Sequence, residues 1–240
     1  MPATSARRRV ATPGDSRGKL SREQVVDAAV ALADAEGLDA LTLRKLAIAV
    51  GVTPMALYWH VADKEALLDA LGERMFATIE LPERIDDWFA DLCAVSRSMV
   101  AVLRRHPAVA PLAVTTVMTS EAGIRVAERV LSRLSDAGFS DRDVADIGAY
   151  LLRAIVVLVT ALPDAAPSGP GNAEAERMQH KAAQLFELPP DRYPVVSRLA
   201  KVLAECDDPD AFLNNGIDVL MLGIEAFAER LPAASRRHRK

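Results

Sequence analysis

Residues 41–71 read LTLRKLAIAVGVTPMALYWHVADKEALLDAL and contain the start and stop signals of three consecutive helices. Thr42 is placed to cap the first helix, which ends at Gly51, and Thr53 is placed to cap the second, with a proline at its first position. Asp63 then caps a third and longer helix. Two short helices joined by a turn at a glycine are typical of a helix-turn-helix, in which the second helix, here of about six or seven residues, fits the major groove of DNA.

Helical signals continue on both sides of this stretch. Ser21 begins the segment SREQ, which is a capping box, and Gly37 ends the helix that follows. Beyond Pro82, apolar residues recur at helical spacing in every segment except 163–173, where Pro, Gly and Ala follow no pattern and predict a mobile loop. No segment alternates as a strand would. The sequence therefore predicts an all-α fold.

Charge is distributed unevenly along the chain, whose net charge is −4. Residues 1–65 carry nine basic and eight acidic side chains, whereas residues 66–232 carry 16 basic and 25 acidic ones. The last eight residues carry four basic side chains and no acidic one. The middle of the chain therefore repels DNA, and the distribution suits a protein that contacts DNA at one end only.

The composition disfavours membrane, secreted and catalytic classes of protein. The longest apolar run, at 154–162, has nine residues, whereas a bilayer span needs about 20. Arg7–Arg9 precede no hydrophobic segment, so no signal peptide is predicted. The two cysteines make no disulfide framework, and the four histidines show neither metal-ligand spacing nor a nucleophile–base arrangement. We expect a cytoplasmic protein that is not an enzyme, with no cofactor, no metal and no membrane partner.

A specific resemblance lies in the same stretch. The block LYWHV at 57–61, followed by Lys64 and by ALLDAL at 66–71, is similar to the DNA-binding domain of tetracycline repressors. Weaker matches continue at Trp88, at Arg105-His106, at Gly138-Phe139 and in the run GIDVLMLGIEAF at 216–227. On these residues the sequence is identified as a member of the TetR family, in the branch whose C-terminal domain resembles that of the tetracycline repressor.

The resemblance implies an organisation as well as a function. We expect a disordered basic arm over residues 1–20, a three-helix helix-turn-helix domain over 21–66, a larger helical domain that binds a ligand and dimerises over 67–232, and a basic tail over 233–240. The implied function is that of a transcriptional repressor. It binds an inverted-repeat operator in double-stranded DNA as a homodimer, and a small-molecule effector releases it.

Roles in DNA binding follow from matching positions. The resemblance assigns DNA contacts to Arg44 in the first helix of the motif, to the end of the recognition helix and to Lys64, which resembles a phosphate contact. Tyrosine and histidine can donate to phosphate oxygens, and a lysine at a helix N-terminus adds charge to amides that already suit an anion. The predicted DNA-binding residues are Arg44, Thr53, Pro54, Met55, Tyr58, Trp59, His60 and Lys64.

Base reading is expected to differ from that of tetracycline repressors. Where those proteins read bases with Gln-Pro-Thr, this chain has Pro54-Met55-Ala56, and none of these side chains can donate a hydrogen bond to a base. Specificity then depends on Arg44, on Thr53, on apolar contact with thymine methyls or on DNA shape. Alternative interpretations stay open: Trp59 packs partly into the core, and His60 is an ordinary surface histidine.

The predicted effector cavity departs from the family pattern. Aligned on Trp88 and His106, the positions that bind tetracycline and its magnesium ion in the relatives carry Glu80, Val95, Met99, Ala113 and Ala161 here, and Thr116 is retained. We therefore expect an apolar or amphipathic effector rather than a tetracycline–magnesium complex. The predicted ligand-binding residues are Glu80, Val95, Met99, Leu112, Thr116 and Met118, with Val130 as a further candidate, and ordinary core packing is the alternative for each apolar one.

Dimerisation is predicted from two long apolar helices. In the family, the eighth and last helices form a four-helix bundle across a two-fold axis, and the apolar faces of 144–162 and 212–231 fit such a bundle. The predicted dimerisation residues are Ile147, Leu151, Ile155, Ile217, Leu220, Met221 and Ile224. Packing within one protomer is the alternative for some of these faces. A related protein that activates transcription, or that senses a protein or no ligand, also fits the sequence.

Overall fold

The computed structural model of the protein describes residues 20–162, 183–204 and 208–231. These residues form helices and turns and no strand, so the predicted all-α fold is confirmed. The predicted basic arm up to residue 19, the predicted loop at 163–173 and the tail at 233–240 lie outside the described residues. The helices are α1 (Arg22–Glu36), α2 (Leu43–Val50), α3 (Pro54–Leu57), α4 (Lys64–Ala77), α5 (Trp88–Leu103), α6 (Ala113–Thr116), α7 (Glu121–Asp136), α8 (Asp141–Thr160), α9 (Pro194–Ala204) and α10 (Pro209–Glu229).

Local capping sets the helix starts. The Ser21 hydroxyl accepts a hydrogen bond from the amide of Gln24 at 3.1 Å, and the Gln24 side chain accepts one from the amide of Ser21 at 2.9 Å, which completes the predicted capping box. The carboxylate of Asp63 accepts from the amide three residues on at 2.8 Å and begins α4. At Pro107 the backbone turns, and a short 3₁₀ helix at Ala110–Leu112 precedes α6.

A continuous core joins the helices, and α4 is central to it. α1 packs against α2 and α4, α4 packs against α6 and α7, and α5 packs against α7, α8 and α10. Leu67, Leu71 and Phe76 of α4 are fully buried. This helix therefore contacts both the N-terminal helices and the C-terminal ones, and the boundary predicted between residues 66 and 67 lies inside it.

By length and composition alone, helix α10 could cross a membrane. One such helix among the described residues is only weak evidence for a membrane span. In the structure α10 packs on α5 and α8 and buries Leu213, Ile217 and Met221. Asp218 of α10 pairs with Arg97 of α5 at 2.9 Å. The helix therefore has one face in the core of the protomer and one face outside it.

Candidate DNA-binding surface and internal cavity

The turn between α2 and α3 is fixed by local hydrogen bonds. Gly51 adopts a left-handed conformation with φ of 73°, and its amide donates to carbonyls at the end of α2. The hydroxyl of Thr42 accepts from the amide of Lys45, and that of Thr53 accepts from the amide of Ala56, each at 3.2 Å. Both helices of the predicted helix-turn-helix therefore begin at the predicted caps and are held in a defined orientation.

The recognition helix is shorter than the sequence predicts. α3 ends at Leu57, and Tyr58, Trp59 and His60 form the turn that follows it. The amide of His60 donates to the carbonyl of Leu57 at 2.9 Å. This bond spans three residues, as in a 3₁₀ turn, and not the four of an α-helix. The predicted contact residues thus occupy both a single helical turn and the adjoining loop.

Buried apolar residues hold the inner side of α3 against the core and leave its outer face exposed. Leu57 and Val61 are 1% and 3% exposed and point into the core. Met55, Tyr58 and Trp59 are 73%, 51% and 87% exposed. The interpretation that Trp59 packs partly into the core is wrong, because Leu57 and Val61 already occupy the inward positions of this segment.

The remaining predicted contact residues also lie at the surface. Thr53 and Pro54 are exposed, and His60 is half-buried. Ile48 of α2 is 71% exposed and was missed, although it falls outside the apolar face of its helix. The sequence contains a signal for Ile48. An apolar residue that lies off the buried face of its helix, next to the recognition helix, is available to contact a ligand or DNA.

Two cations lie at helix N-termini in this region. Arg44 is the second residue of α2 and Lys64 is the first residue of α4, and both are exposed. Among the described residues, neither side chain has a carboxylate or hydrogen-bond partner, whereas Lys45 pairs with Glu36 at 2.5 Å. A free cation beside helix amides is suited to bind an anion such as a phosphate.

Polar contacts connect α1 to the rest of the chain. The ring nitrogen Nδ1 of His106, after α5, lies 2.7 Å from the carboxylate of Asp34 in α1. Arg74 of α4 donates to Asp27 of α1 at 3.0 Å. These pairs fix the N-terminal helices on α4 and on the loop after α5, and they agree with a structural role for His106.

A cavity of about 270 Å³, partly open to solvent, lies between α5, α7, α8 and the segment around α6. Its lining consists of apolar residues and one arginine. The lining residues are Met99, Val114, Val117, Met118, Val126, Ala127, Val130, Leu131, Ala145, Gly148, Ala149, Leu151, Leu152 and Arg153. Of the residues predicted to bind the ligand, Met99, Met118 and Val130 line this cavity, and Leu151, predicted to lie in the dimer interface, lines it as well. The other lining positions fall on helix faces that show no distinguishing pattern in the sequence.

The other predicted ligand-binding residues lie elsewhere. Val95 is fully buried in the core, and Leu112 is half-buried outside the lining. Glu80 is exposed beyond the end of α4, and Thr116 is buried with its hydroxyl donating to the carbonyl of Leu112 at 2.7 Å. Neither Glu80 nor Thr116 lines the cavity, so their predicted part in ligand binding is not supported by this cavity.

Thr116 instead forms a close contact between α4 and α6. A methyl group added at Gly72 of α4 would lie 2.3 to 2.7 Å from the side-chain atoms of Thr116. Only a glycine allows this approach of the two helices. The cavity segment that includes Val114 and Val117 therefore rests directly on the helix that begins with Lys64.

A buried ion pair fixes the linker between α4 and α5. Asp91 is fully buried and accepts from Arg129 of α7 at 2.6 and 2.7 Å and from the amide of Ile85 at 2.8 Å. Arg129 also donates to the carbonyl of Pro82 at 3.3 Å. The hydrogen bonds from Arg129 hold the pKa of Asp91 below its ordinary value although burial opposes this, and the same bonds raise the pKa of Arg129.

A second arginine adjoins this pair. The Nε atom of Arg133, which is buried, lies 3.6 Å from Asp91, and its Nη2 atom lies 2.9 Å from the carboxylate of Asp136. Asp91 and the two arginines are far apart in the chain, so no local sequence signal predicts this cluster.

The predicted dimerisation residues lie mainly inside the protomer. Ile147, Leu151, Ile155, Ile217 and Met221 are buried, and Leu220 and Ile224 are half-buried. For the five buried residues the prediction has to be corrected, because their side chains pack between α8, α10 and the neighbouring helices and offer no surface to a partner. For Leu220 and Ile224, which are partly exposed, it stays a prediction. The exposed apolar residues of the same two helices are Tyr150, Val157, Phe212, Val219, Leu222 and Phe227.

A helix-turn-helix with an exposed outer face, joined through one continuous helix to a helical domain with a cavity, defines a DNA-binding regulator. Comparison with known proteins gives the family. Residues 25–71 match the model of bacterial regulatory proteins of the tetR family, and residues 81–228 match the tetracyclin repressor-like C-terminal domain. The chain belongs to the TetR family of transcriptional regulators. Members of this family bind operator DNA and effector ligands, act as dimers and are not enzymes, as the resemblance implies.

Similar proteins cover most of the chain. An HTH-type transcriptional regulator of Saccharopolyspora erythraea is 30% identical over 87% of this chain and 86% of its own length. The class D tetracycline repressor of Escherichia coli is 31% identical over 86% of this chain and 90% of its own length.

Solved structures agree with this assignment. A possible TetR family transcriptional regulator from Streptomyces coelicolor A3(2) is 29% identical, with a TM-score of 0.70 over 86% of this chain and 100% of its own. The TetR family protein ActR of Streptomyces coelicolor, in complex with actinorhodin, is 25% identical, with a TM-score of 0.69 over 89% of this chain and 99% of its own.

Proposed function

We propose that the protein is a cytoplasmic repressor that binds an inverted-repeat operator as a homodimer and is released by an apolar or amphipathic small molecule without a metal ion. The observation that carries this proposal is that the chain has both an exposed recognition segment and an apolar cavity, and that α4 packs on α6 and α7, which contribute to the cavity lining. The same helix begins at Lys64, beside the recognition segment, and rests on α6, beside the cavity.

The proposed DNA binding is supported by surface hydrogen-bond donors and by cations that have no acidic partner among the described residues. Arg44 and Lys64 have no acidic partner among the described residues, and Thr53, Tyr58 and His60 add hydroxyl and ring donors. Contacts of this kind position a protein on the phosphate backbone. Exposed Met55 is suited to contact thymine methyls, which agrees with an operator that differs from that of the tetracycline repressors.

The proposed effector binding is supported by the chemistry of the residues that line the cavity. A magnesium ion takes oxygen ligands, and the lining offers apolar side chains and one guanidinium, which donates and cannot coordinate a cation. An apolar ligand that displaces water from such a surface gains free energy in proportion to the area it buries. Two methionines, Met99 and Met118, can adapt to its shape.

Coupling between the two halves passes through α4. This helix has 14 residues and is therefore about 20 Å long. Because Gly72 and Thr116 are in close contact, a ligand that displaces α6 also displaces α4, and with it Lys64. Successive major grooves on one side of DNA lie about 34–36 Å apart. The ligand-bound dimer then holds its recognition segments at a spacing that does not match this distance.

Dimerisation uses the outer face of α8 and α10. Tyr150 and Val157 are exposed on α8, and Val219 and Leu222 are exposed on α10. Among the described residues these side chains have no apolar partner that covers them within the protomer. A second copy of the same face would bury them, as a two-fold interface requires.

The proposal is tested by titrating the protein onto fluorescently labelled DNA from upstream of its own gene and then adding candidate ligands. Ligands are tested with EDTA and with magnesium. We expect release by apolar ligands in EDTA and poor release by tetracycline. Strict dependence of release on magnesium would contradict the metal-free cavity, and ligand affinity that is unchanged by bound DNA would contradict the coupling, since linkage is reciprocal.

A further inference from the structure

The cavity contains one charged residue, Arg153 of α8. The other lining residues of α8 are Ala145, Gly148, Ala149 and the pair Leu151-Leu152, which are all apolar. A guanidinium therefore lies at the edge of an apolar surface that is partly open to solvent.

Arg153 has no acidic partner among the described residues. One of its terminal nitrogens donates to the carbonyl of Ala149 in its own helix at 3.1 Å, and the guanidinium has four further N–H groups. The residues three and four positions away on either side are uncharged. By contrast, Arg142 of the same helix lies 3.7 Å from the carboxylate of Asp146.

We propose that the effector of this protein is an amphipathic anion, whose apolar body fills the cavity and whose carboxylate, sulfonate or phenolate pairs with Arg153. This inference rests on the proposed function of the cavity. Planar guanidinium groups bind carboxylates and sulfonates through paired hydrogen bonds. Arg153 is exposed at the edge of the cavity, so an anionic group can pair with it there while the apolar body of the same molecule lies against the apolar lining. The volume of about 270 Å³ lies just below the usual range for ligand sites and suits a body of a few rings.

A plainer interpretation is that Arg153 covers the cavity edge with its methylene stem and keeps its charge in water. The substitution Arg153→Met separates the two, because methionine keeps an apolar stem and removes the charge. Arg142→Met is the matched control, since it removes an exposed arginine of the same helix that does not line the cavity.

Two fluorescent probes provide the readout. 8-Anilinonaphthalene-1-sulfonate and N-phenyl-1-naphthylamine share one aromatic skeleton and differ in the sulfonate. We expect Arg153→Met to weaken binding of the sulfonate probe about two- to fivefold, as the loss of an exposed charge pair predicts, and to leave the neutral probe unchanged. Arg142→Met should change neither affinity. If Arg153→Met weakens neither probe, or weakens both equally, the inference is overturned.

A third variant separates failure of this inference from failure of the proposed function. Ala149→Phe places a ring in the cavity from the lining face of α8 and should weaken both probes. If it does so while Arg153→Met has no selective effect, the cavity binds apolar ligands and only the anionic preference is wrong. If both probes keep full affinity in Ala149→Phe, they do not occupy the cavity, and the cavity and the inference built on it both fail.

Discussion

The substitution Asp91→Asn is expected to cost more stability than any exposed charge change in this protein. Asp91 is fully buried and accepts two hydrogen bonds from Arg129 and one from the amide of Ile85. Asparagine preserves the shape of the side chain and removes its charge. Two guanidiniums, those of Arg129 and Arg133, are then left facing a neutral amide in a buried site.

The magnitude follows from the burial of the pair. Removing one partner of a buried ion pair leaves the other charge uncompensated, which costs about 3–5 kcal/mol. The pair formed by Arg97 and Asp218 serves as the reference, because its side chains are 57% and 53% exposed. Exposed pairs contribute about 0–1 kcal/mol, so Asp218→Asn should change the free energy of unfolding by no more than that.

The assay is urea unfolding followed by circular dichroism, with wild type, Asp91→Asn and Asp218→Asn at one protein concentration, because the stability of a dimer depends on concentration. The reasoning is refuted if Asp91→Asn stays within about 1 kcal/mol of wild type and matches Asp218→Asn.

The same pair predicts a pH dependence. Hydrogen bonds from Arg129 lower the pKa of Asp91 in the folded state, so its contribution is present above the unfolded-state value of about 3.9 and is lost as pH falls through the folded-state value. The difference in unfolding free energy between wild type and Asp91→Asn should therefore stay constant from neutral pH to about pH 5 and shrink in stronger acid. A difference that grows in acid would contradict this sign.

Four further substitutions test the surfaces and the coupling. Lys64→Ala should weaken binding to all DNA sequences alike and lower the salt slope by about one unit, whereas Arg44→Ala should also relax specificity at particular base pairs; unchanged affinity in both variants would contradict the proposed docking. Gly72→Ala should lower the free energy of unfolding by about 1–3 kcal/mol, because its methyl group overlaps Thr116, and an unchanged thermal midpoint would show that the contact is loose. Leu222→Glu should shift sedimentation from dimer to monomer, and a variant that stays dimeric would place the interface elsewhere.

The fold follows from local signals in the sequence. Caps such as Ser21, Thr53 and Asp63 and the stop at Gly51 act within four residues of themselves, so their effect is visible in the sequence alone. The helix α3 is shorter than predicted: it ends at Leu57, and Leu57 and Val61 are both buried. The packing of these two side chains depends on tertiary contacts, which no local pattern in the sequence records.

The sites were predictable only in part for the same reason. The exposed recognition residues follow from the motif and from its resemblance to a family. The cavity is assembled from four segments of the chain. A shift of one residue along a helix moves a side chain from the cavity to the core, and Val95 and Thr116 are both buried outside the lining. The pairing of Asp91 with Arg129 joins residues that are 38 positions apart and could be found only in three dimensions.

The central claim, specific binding of the dimer to an operator, is tested most directly by nuclease footprinting of the full chain on DNA upstream of its own gene. The account predicts protection of an inverted repeat whose half-sites are centred about one helical turn apart, with the protection lost when Arg44 and Lys64 are both replaced by alanine. Protection no stronger than that of unrelated DNA at the same protein and salt concentrations would contradict it.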